Sequence, residues 1–108
     1  MISAHILDTH LGKPGTDVKV ILYNAQNELI TQSKTNEDGR ISTTDFALEH
    51  LPSGDYSLEF LIPVYFQALN LDTFFPKVLI HCSIQDSIKH HHIPLLISPF
   101  GSSTYEGS

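Results

Sequence analysis

Short runs of alternating apolar and polar residues, separated by turn residues, make up most of the chain. Residues 2–7 begin the pattern with Ile2, Ala4 and Ile6 as the apolar set, and residues 18–23 continue it. A period of two is typical of β-strands that bury one face. Further strands are predicted at residues 28–34, 40–43, 56–60, 78–84, 89–97 and 102–107.

One segment departs from the period of two. Phe66, Leu69 and Thr73 fall at i, i+3 and i+7 within residues 64–73, which is the spacing of one helix face. A proline precedes this segment and another lies beyond its end, as is common at helix boundaries. We therefore predict an all-β fold, a two-sheet β-sandwich of about eight strands with one short helix, as a single domain over residues 1–108.

The net charge and the cysteine content limit the kinds of binding partner and the cellular compartment that we expect. The formal net charge is −6, whereas nucleic-acid binding needs clustered positive charge, so we expect no nucleic-acid partner. No apolar run approaches the ~18 residues of a membrane span, and the start of the chain lacks the pattern of a secretory signal. Cys82 is the single cysteine and is expected to be a small buried hydrophobe. We expect a cytoplasmic protein without membrane contact.

Histidine is abundant, with seven residues in the chain, and it is the usual acid–base residue near pH 7. Strand alternation places His90 and His92 on one face of their strand and His91 on the other. His5 lies on the first predicted strand. Each of them is open to two interpretations, a surface or interface residue and a catalytic one. The run of three also suggests metal ligands, but no established zinc spacing accompanies it, and we expect no metal site.

Arg40 and the chain end are further candidates. Arg40 follows an Asp-Gly turn, and its guanidinium is either a solvated hairpin end or a planar donor for carbonyl or anionic oxygens. In residues 105–108, Gly107 permits close approach of the backbone to another group, while its neighbours supply hydroxyls. Alternation puts Tyr105 and Ser108 on opposite faces, so both reach one site only if the chain bends at Gly107.

Five segments carry sequence motifs that extend, in order, almost from one end of the chain to the other. They are SAHILDT with GKP (3–14), TNEDGR (35–40), YF to FFP (65–76), HHHIPLL with SP (90–99) and STYEGS (103–108). Together they resemble the motifs of the 5-hydroxyisourate hydrolases, also called transthyretin-related proteins. In that family the last two segments read HYHVPLL with SP and STYRGS.

The resemblance implies a transthyretin-like sandwich of two four-stranded sheets and a homotetramer with sites at the dimer–dimer interface. It implies hydrolysis of a purine-derived substrate, 5-hydroxyisourate, to 2-oxo-4-hydroxy-4-carboxy-5-ureidoimidazoline in urate breakdown, without metal or organic cofactor. Water would attack the lactam carbonyl, with one histidine as the general base. The implied catalytic residues are His5, Arg40, His92 and Ser108, and the implied substrate-binding residues are His5, Arg40 and Tyr105.

Two of the departures from the family motifs bear on the predicted site. His91 replaces the usual tyrosine, and we expect little catalytic effect because alternation turns it away from His92. Glu106 replaces the usual arginine, which puts a negative charge beside a site for an electron-rich substrate. Either its side chain points to the other face, or activity is reduced, or the site binds something else. We predict retained but altered activity.

Two other functions remain open, a non-catalytic transthyretin-type carrier of a small ligand and a structural β-sandwich module. A carrier of apolar ligands would line its channel with apolar side chains, which the polar residues His5, Arg40 and His92 oppose. A structural module has no need of the motif around His92 or of the Tyr-x-Gly-Ser ending. We therefore predict a hydrolase that acts on C–N bonds in cyclic amides.

Overall fold

The protein is described by a computed structural model that covers residues 1–48, 50–85 and 89–107. In this part of the chain it has nine strands and one helix. In chain order these elements are β1 (Ile2–Asp8), β2 (Lys13–Pro14), β3 (Lys19–Tyr23), β4 (Leu29–Lys34), β5 (Arg40–Ile41), β6 (Gly54–Phe60), α1 (Ile62–Ala68), β7 (Val78–Ile84), β8 (His91–Ser98) and β9 (Gly101–Thr104).

The strands form two sheets. One has the order β4-β3-β6-β7, and the other has the order β2-β1-β8-β9 with β5 also paired to β1. β5 pairs with β1 at Ala4 and His5, and β2 pairs with it at Leu7 and Asp8, so the two short strands share one edge of β1. Each sheet is therefore four positions wide, and the predicted fold class is confirmed.

Several predicted boundaries were wrong, most clearly those of the helix. It runs from Ile62 to Ala68 instead of over residues 64–73. A proline lies in its first turn, where it is tolerated because amide hydrogens there have no acceptor within the helix. Asn70 adopts a positive φ of 58°, which takes the chain out of the helix before Thr73. No helix in the described residues is long and apolar enough to cross a membrane.

The hydrophobic core lies between the sheets, and the alternation of side chains along each strand determines which residues lie on the outer faces of the sheets. The fully buried strand residues include Ile2, Ala4, Ile6, Val20, Leu22, Leu58, Phe60, Leu95 and Ile97. Burying one large apolar side chain stabilises the fold by roughly 1.5–3 kcal/mol, so these residues together fix which face of each strand is turned to the core. Ser3 and His5 of β1, and His92 of β8, are consequently on the outer face. Cys82 is only partly buried and packs against the core.

Pro94 lies in β8, an interior strand, although proline cannot donate to a sheet ladder. The amide of His91 donates to the Met1 carbonyl at 2.8 Å, so alternate amides of β8 face β1, and position 94 faces the other neighbour. The ladder with β9 stops just before Pro94 and resumes at a bridge between His92 and Gly107. Pro94 therefore lies between these two sets of backbone contacts, at a position where no regular strand of the described residues pairs with β8 on this side. The amide hydrogen that proline lacks is not needed for the ladder there.

Candidate active site

Three strands bring three of the predicted residues together on the outer face of one sheet. β1 and β8 run parallel, with Ser3 opposite His92 and His5 opposite Pro94. On the other edge of β1, β5 runs antiparallel and places Arg40 opposite His5. Residues that are directly opposite in a sheet share a face. Two histidines and the only arginine of the chain therefore meet at the centre of this sheet.

The imidazoles of His5 and His92 are stacked, with ring centroids 6.4 Å apart and an interplanar angle of 25°. Burial lowers the pKa of both rings below 6.5, and the positive charge of Arg40 lowers each pKa further. A hydrogen bond to the Asp38 carbonyl raises the pKa of His5 but does not outweigh these effects. Both rings are thus neutral near pH 7, and a neutral imidazole has the lone pair that a general base needs.

The turn before β5 delivers Arg40 to this position, and Asn36 holds it closed. The Asn36 side-chain oxygen accepts from the amides of Asp38 and Arg40 at 2.9 and 3.0 Å. Gly39 has φ of 74°, and its carbonyl accepts from the amide of Ile6 at 2.7 Å. A Cβ on Gly39 would overlap the Ile6 carbonyl oxygen, so only glycine fits here.

Ser3 connects the site to a third histidine. Its hydroxyl lies 2.8 Å from Nε2 of His90 and 2.8 Å from Nδ1 of His92. Ser3 is only 8% exposed, whereas His90 is exposed to solvent. The hydroxyl therefore joins a surface imidazole to one that is next to Arg40.

An open depression of about 710 Å³ lies beside these residues. It is lined by Ser3, Ala4, Asn36, Arg40, Ile41, Ser42, Thr43, Thr44, Asp45, His90 and His92. Only two of these residues are apolar, so the lining suits a small polar molecule rich in carbonyl and amide groups. His5 is not part of this lining, but it lies opposite Arg40 and stacks on His92, which both belong to it.

The chain end returns to the site at Gly107. Its amide donates to the His92 carbonyl at 2.8 Å. A Cβ at this position would lie 2.8 Å from Cδ2 of His92 and 3.1 Å from Cγ of Pro94, so a glycine is required for this approach. Tyr105 is 61% exposed and lines a separate cavity of about 280 Å³, so one chain does not bring it into the depression. Ser108, which is also predicted to be catalytic, lies outside the described residues.

The Glu106 carboxylate points to the side of β8 opposite to His92. It lies 3.6 Å from Nζ of Lys89 and 3.9 Å from Nδ1 of His91. His91 is 7% exposed and lies opposite Ile2, which is a core residue. The departure from the family motif at Glu106 is thus accommodated away from the histidine pair.

Sequence reasoning did not single out Ser3 or Asn36 as parts of the site. Ser3 lies two residues before His5 on one strand, so alternation alone would have put both on the same face. The sequence indicates the role of Asn36 less directly: asparagine near an Asp-Gly turn often accepts hydrogen bonds from backbone amides of that turn. Among the residues that the structure describes, no group of three or more His, Cys, Asp or Glu side chains is arranged to hold a metal ion.

Comparison with known proteins gives matches that cover nearly the whole of this chain. The model of the HIUase/transthyretin family matches residues 2–107. The chain is 39% identical over 111 residues to a 5-hydroxyisourate hydrolase of Salmonella dublin, an alignment that covers 100% of this chain and 81% of the relative. It is 36% identical to the solved 5-hydroxyisourate hydrolase of Klebsiella pneumoniae, with a TM-score of 0.89 over 99% of this chain and 98% of that one.

Two other solved structures share the architecture. (S)-allantoin synthase matches with a TM-score of 0.88 and 30% identity, and the match covers 99% of this chain but 43% of that protein. Sea bream transthyretin in complex with thyroxine matches with a TM-score of 0.84 over 98% of this chain and 93% of that one. At 22% identity, this last match shows the fold alone.

Proposed function

The chain belongs to the HIUase/transthyretin family, and from this premise we propose that it hydrolyses 5-hydroxyisourate in urate breakdown. The reaction opens the lactam ring and gives 2-oxo-4-hydroxy-4-carboxy-5-ureidoimidazoline. The observation that carries the proposal is the meeting of two stacked neutral histidines with the only arginine on one outer sheet face. These groups supply a base for water and a cation for the substrate oxygens.

Water is the proposed nucleophile. One imidazole of the pair takes a proton from water as the oxygen forms its bond to the lactam carbonyl carbon. The ring C–N bond then breaks, the nitrogen leaves with a proton, and the former carbonyl becomes a carboxylate. Proton transfer by a positioned base typically contributes ~10²–10⁴-fold to the rate.

Arg40 is proposed to hold the substrate oxygens and to stabilise the oxyanion. Its guanidinium is planar and always charged, and its donors match carbonyl and carboxylate groups. It borders the depression together with His92. Removing one donor to a developing oxyanion typically costs on the order of 10²–10³-fold in kcat.

Tyr105 and Ser108 complete the proposed set. We propose that Tyr105 orients the substrate and that Ser108 hydrogen-bonds the substrate or a histidine. Gly107 lies between Tyr105 and Ser108 in the sequence, and its amide donates a hydrogen bond to the His92 carbonyl. The reaction as proposed needs no metal or organic cofactor, because water, the base and the oxyanion donor suffice.

We also propose a cytoplasmic homotetramer with the sites at the dimer–dimer interface. The depression is open to solvent in a single chain. A second chain laid over it would exclude water, and this strengthens every electrostatic contact with the substrate. Analytical ultracentrifugation tests the assembly, and a monomer with full activity would contradict it.

A carrier function fits this site less well. The depression is lined by arginine, histidine, asparagine, aspartate and hydroxyl groups, with two apolar residues among eleven. A small apolar ligand would remove those polar groups from water without offering them partners, which costs binding free energy.

The proposed function is tested by following the ultraviolet absorbance of freshly generated 5-hydroxyisourate, with an enzyme-free blank for its spontaneous decay. His5→Ala, Arg40→Ala and His92→Ala are made separately, and each should lower kcat/KM by at least ~10²-fold. His10→Ala, an exposed histidine outside the site, is the matched control and should stay within about twofold of the unmodified chain. The proposal is wrong if the unmodified chain does not exceed the blank or if all three site variants retain near-native rates.

A further inference from the structure

The proton on Ser3 cannot serve both of its neighbours. Its hydroxyl lies 2.8 Å from a ring nitrogen of His90 and 2.8 Å from a ring nitrogen of His92. A serine has one hydrogen to donate, and its lone pairs accept any further bond. Therefore at least one of the two imidazoles must donate to Ser3, and the tautomers of the two rings are linked.

Two arrangements make both contacts hydrogen bonds while the Ser3 hydroxyl donates its hydrogen to one of the two rings. In the first, Nδ1–H of His92 donates to Ser3, and Ser3 donates to Nε2 of His90. In the second, Nε2–H of His90 donates to Ser3, and Ser3 donates to Nδ1 of His92. The first leaves a lone pair on Nε2 of His92, whereas the second places a hydrogen there. Only the first allows His92 to take a proton from water.

We propose that Ser3 and His90 are positioning residues that hold His92 in the Nδ1–H tautomer and make its Nε2 the general base. This inference rests on the proposed hydrolase function and extends it to two residues outside the expected set. It also selects His92 from the two candidate bases.

The surroundings favour this direction of the hydrogen bonds. His90 is exposed, so water solvates whichever of its nitrogens does not face Ser3, and its tautomer adapts at little cost. Burial and the positive charge of Arg40 lower the pKa of His92 and keep its ring neutral, as a general base requires. The low exposure of Ser3, 8%, limits competition from water for its hydroxyl.

The second sheet offers a matched control. Ser57 is 6% exposed, and its hydroxyl lies 2.8 Å from Nδ1 of His81. Ser57→Ala thus removes the same kind of contact as Ser3→Ala, from a serine that is equally buried but lies in the other sheet. A loss of activity that follows any buried serine-to-alanine change would appear in both variants.

The direct test is the nitrogen-15 spectrum of the imidazoles at a pH above their titration, in the unmodified chain and the variants. His92 should carry its hydrogen on Nδ1. Ser3→Ala should shift this hydrogen toward Nε2, as in a free imidazole, and Ser3→Thr should restore it. Ser57→Ala should leave His92 unchanged. A hydrogen on Nε2 of His92 in the unmodified chain, or no response to Ser3→Ala, would overturn the inference.

Kinetics provide the second readout. Ser3→Ala should lower kcat on the order of 10–100-fold with little change in KM, as for other hydrogen-bond partners that orient a functional imidazole. His90→Gln keeps an acceptor for the Ser3 hydroxyl and should lose less activity than His90→Ala. If the unmodified chain does not hydrolyse 5-hydroxyisourate, the proposed function fails whatever the spectra show. If it does and Ser3→Ala retains full kcat, the inference alone fails.

Discussion

The imidazole of His91 and the carboxylate of Glu106 lie 3.9 Å apart, Nδ1 to Oε2, on the side of β8 that faces away from His92. At both of these positions the chain departs from the hydrolase motifs that it resembles. Lys89 adds a positive charge 3.6 Å from the same carboxylate. The two departures thus meet each other, and the negative charge of Glu106 is balanced on its own side of the strand.

This arrangement predicts that Glu106→Arg changes kcat/KM by less than about threefold. The substitution reverses a charge, but exposed ion pairs contribute little and the side chain points away from the histidine pair. Steady-state hydrolysis of 5-hydroxyisourate by the two proteins is the measurement. A large gain in kcat/KM would instead show that the native glutamate makes the chain a poor hydrolase.

A second prediction concerns the acid side of the pH–rate profile. Burial and then the charge of Arg40 lower the pKa of His5 and His92 below 6.5. An imidazole accepts a proton only when it is neutral, so activity should fall as the pH drops through these lowered pKa values and should be steady above 6.5.

Arg40→Gln removes the charge and should raise both pKa values toward 6.5, so the acid limb of the residual activity moves to higher pH. Proton NMR titration of the two imidazoles measures the pKa values directly. Lys34→Gln removes an exposed positive charge from β4, in the other sheet, and should leave both unchanged. Identical titration midpoints in Arg40→Gln and the unmodified chain would contradict the assignment.

A third prediction compares two glycines that share a positive φ. Gly39 has φ of 74° and a Cβ there would overlap the Ile6 carbonyl oxygen, whereas Gly12 has φ of 68° with nothing within 4 Å of such a Cβ. Both alanine variants incur backbone strain of about 1–2 kcal/mol. Gly39→Ala should lose more stability than Gly12→Ala and should also lose activity, because Arg40 follows it directly.

Thermal unfolding and kcat/KM measured on both variants check this comparison. Equal losses of Tm in the two proteins would mean that φ alone governs the cost. A Gly39→Ala protein with full activity would mean that the turn does not position Arg40.

The sequence predicts the sheets and the histidine faces well because one physical rule governs both. The alternation of Ile2, Ala4 and Ile6 with their polar neighbours marks the core face of β1, and the same rule separates His91 from His92. The helix boundaries were less accessible, since the positive φ at Asn70 ends the helix before the apolar spacing does.

The contacts across the site could not be predicted from alternation. That rule puts Ser3 and His92 on outer faces, but the parallel register that sets them opposite each other is a property of two strands far apart in sequence. For the same reason, the position of Glu106 beside Lys89 and His91 follows from how the chain end passes β8. Long-range register, not local preference, determines which outer-face groups meet.

The last prediction concerns Gly107, where the chain end crosses His92. A Cβ at this position would lie 2.8 Å from Cδ2 of His92 and 3.1 Å from Cγ of Pro94. Neither neighbour moves readily, because the His92 ring is bonded to Ser3 and the proline ring is fixed within β8. In Gly107→Ala the chain end must therefore move away from His92, and its bridge to that residue is lost.

We expect Gly107→Ala to lower kcat/KM by about 10²-fold, the usual consequence of displacing catalytic groups by about 1 Å, with little change in Tm. Gly101→Ala in β9 is the control, because its Cβ would meet nothing nearer than Ser98 Oγ at 3.7 Å. That variant should keep native activity, since 3.7 Å is an ordinary contact. Equal activity in both variants would show that the chain end does not contribute to the site through its approach to His92.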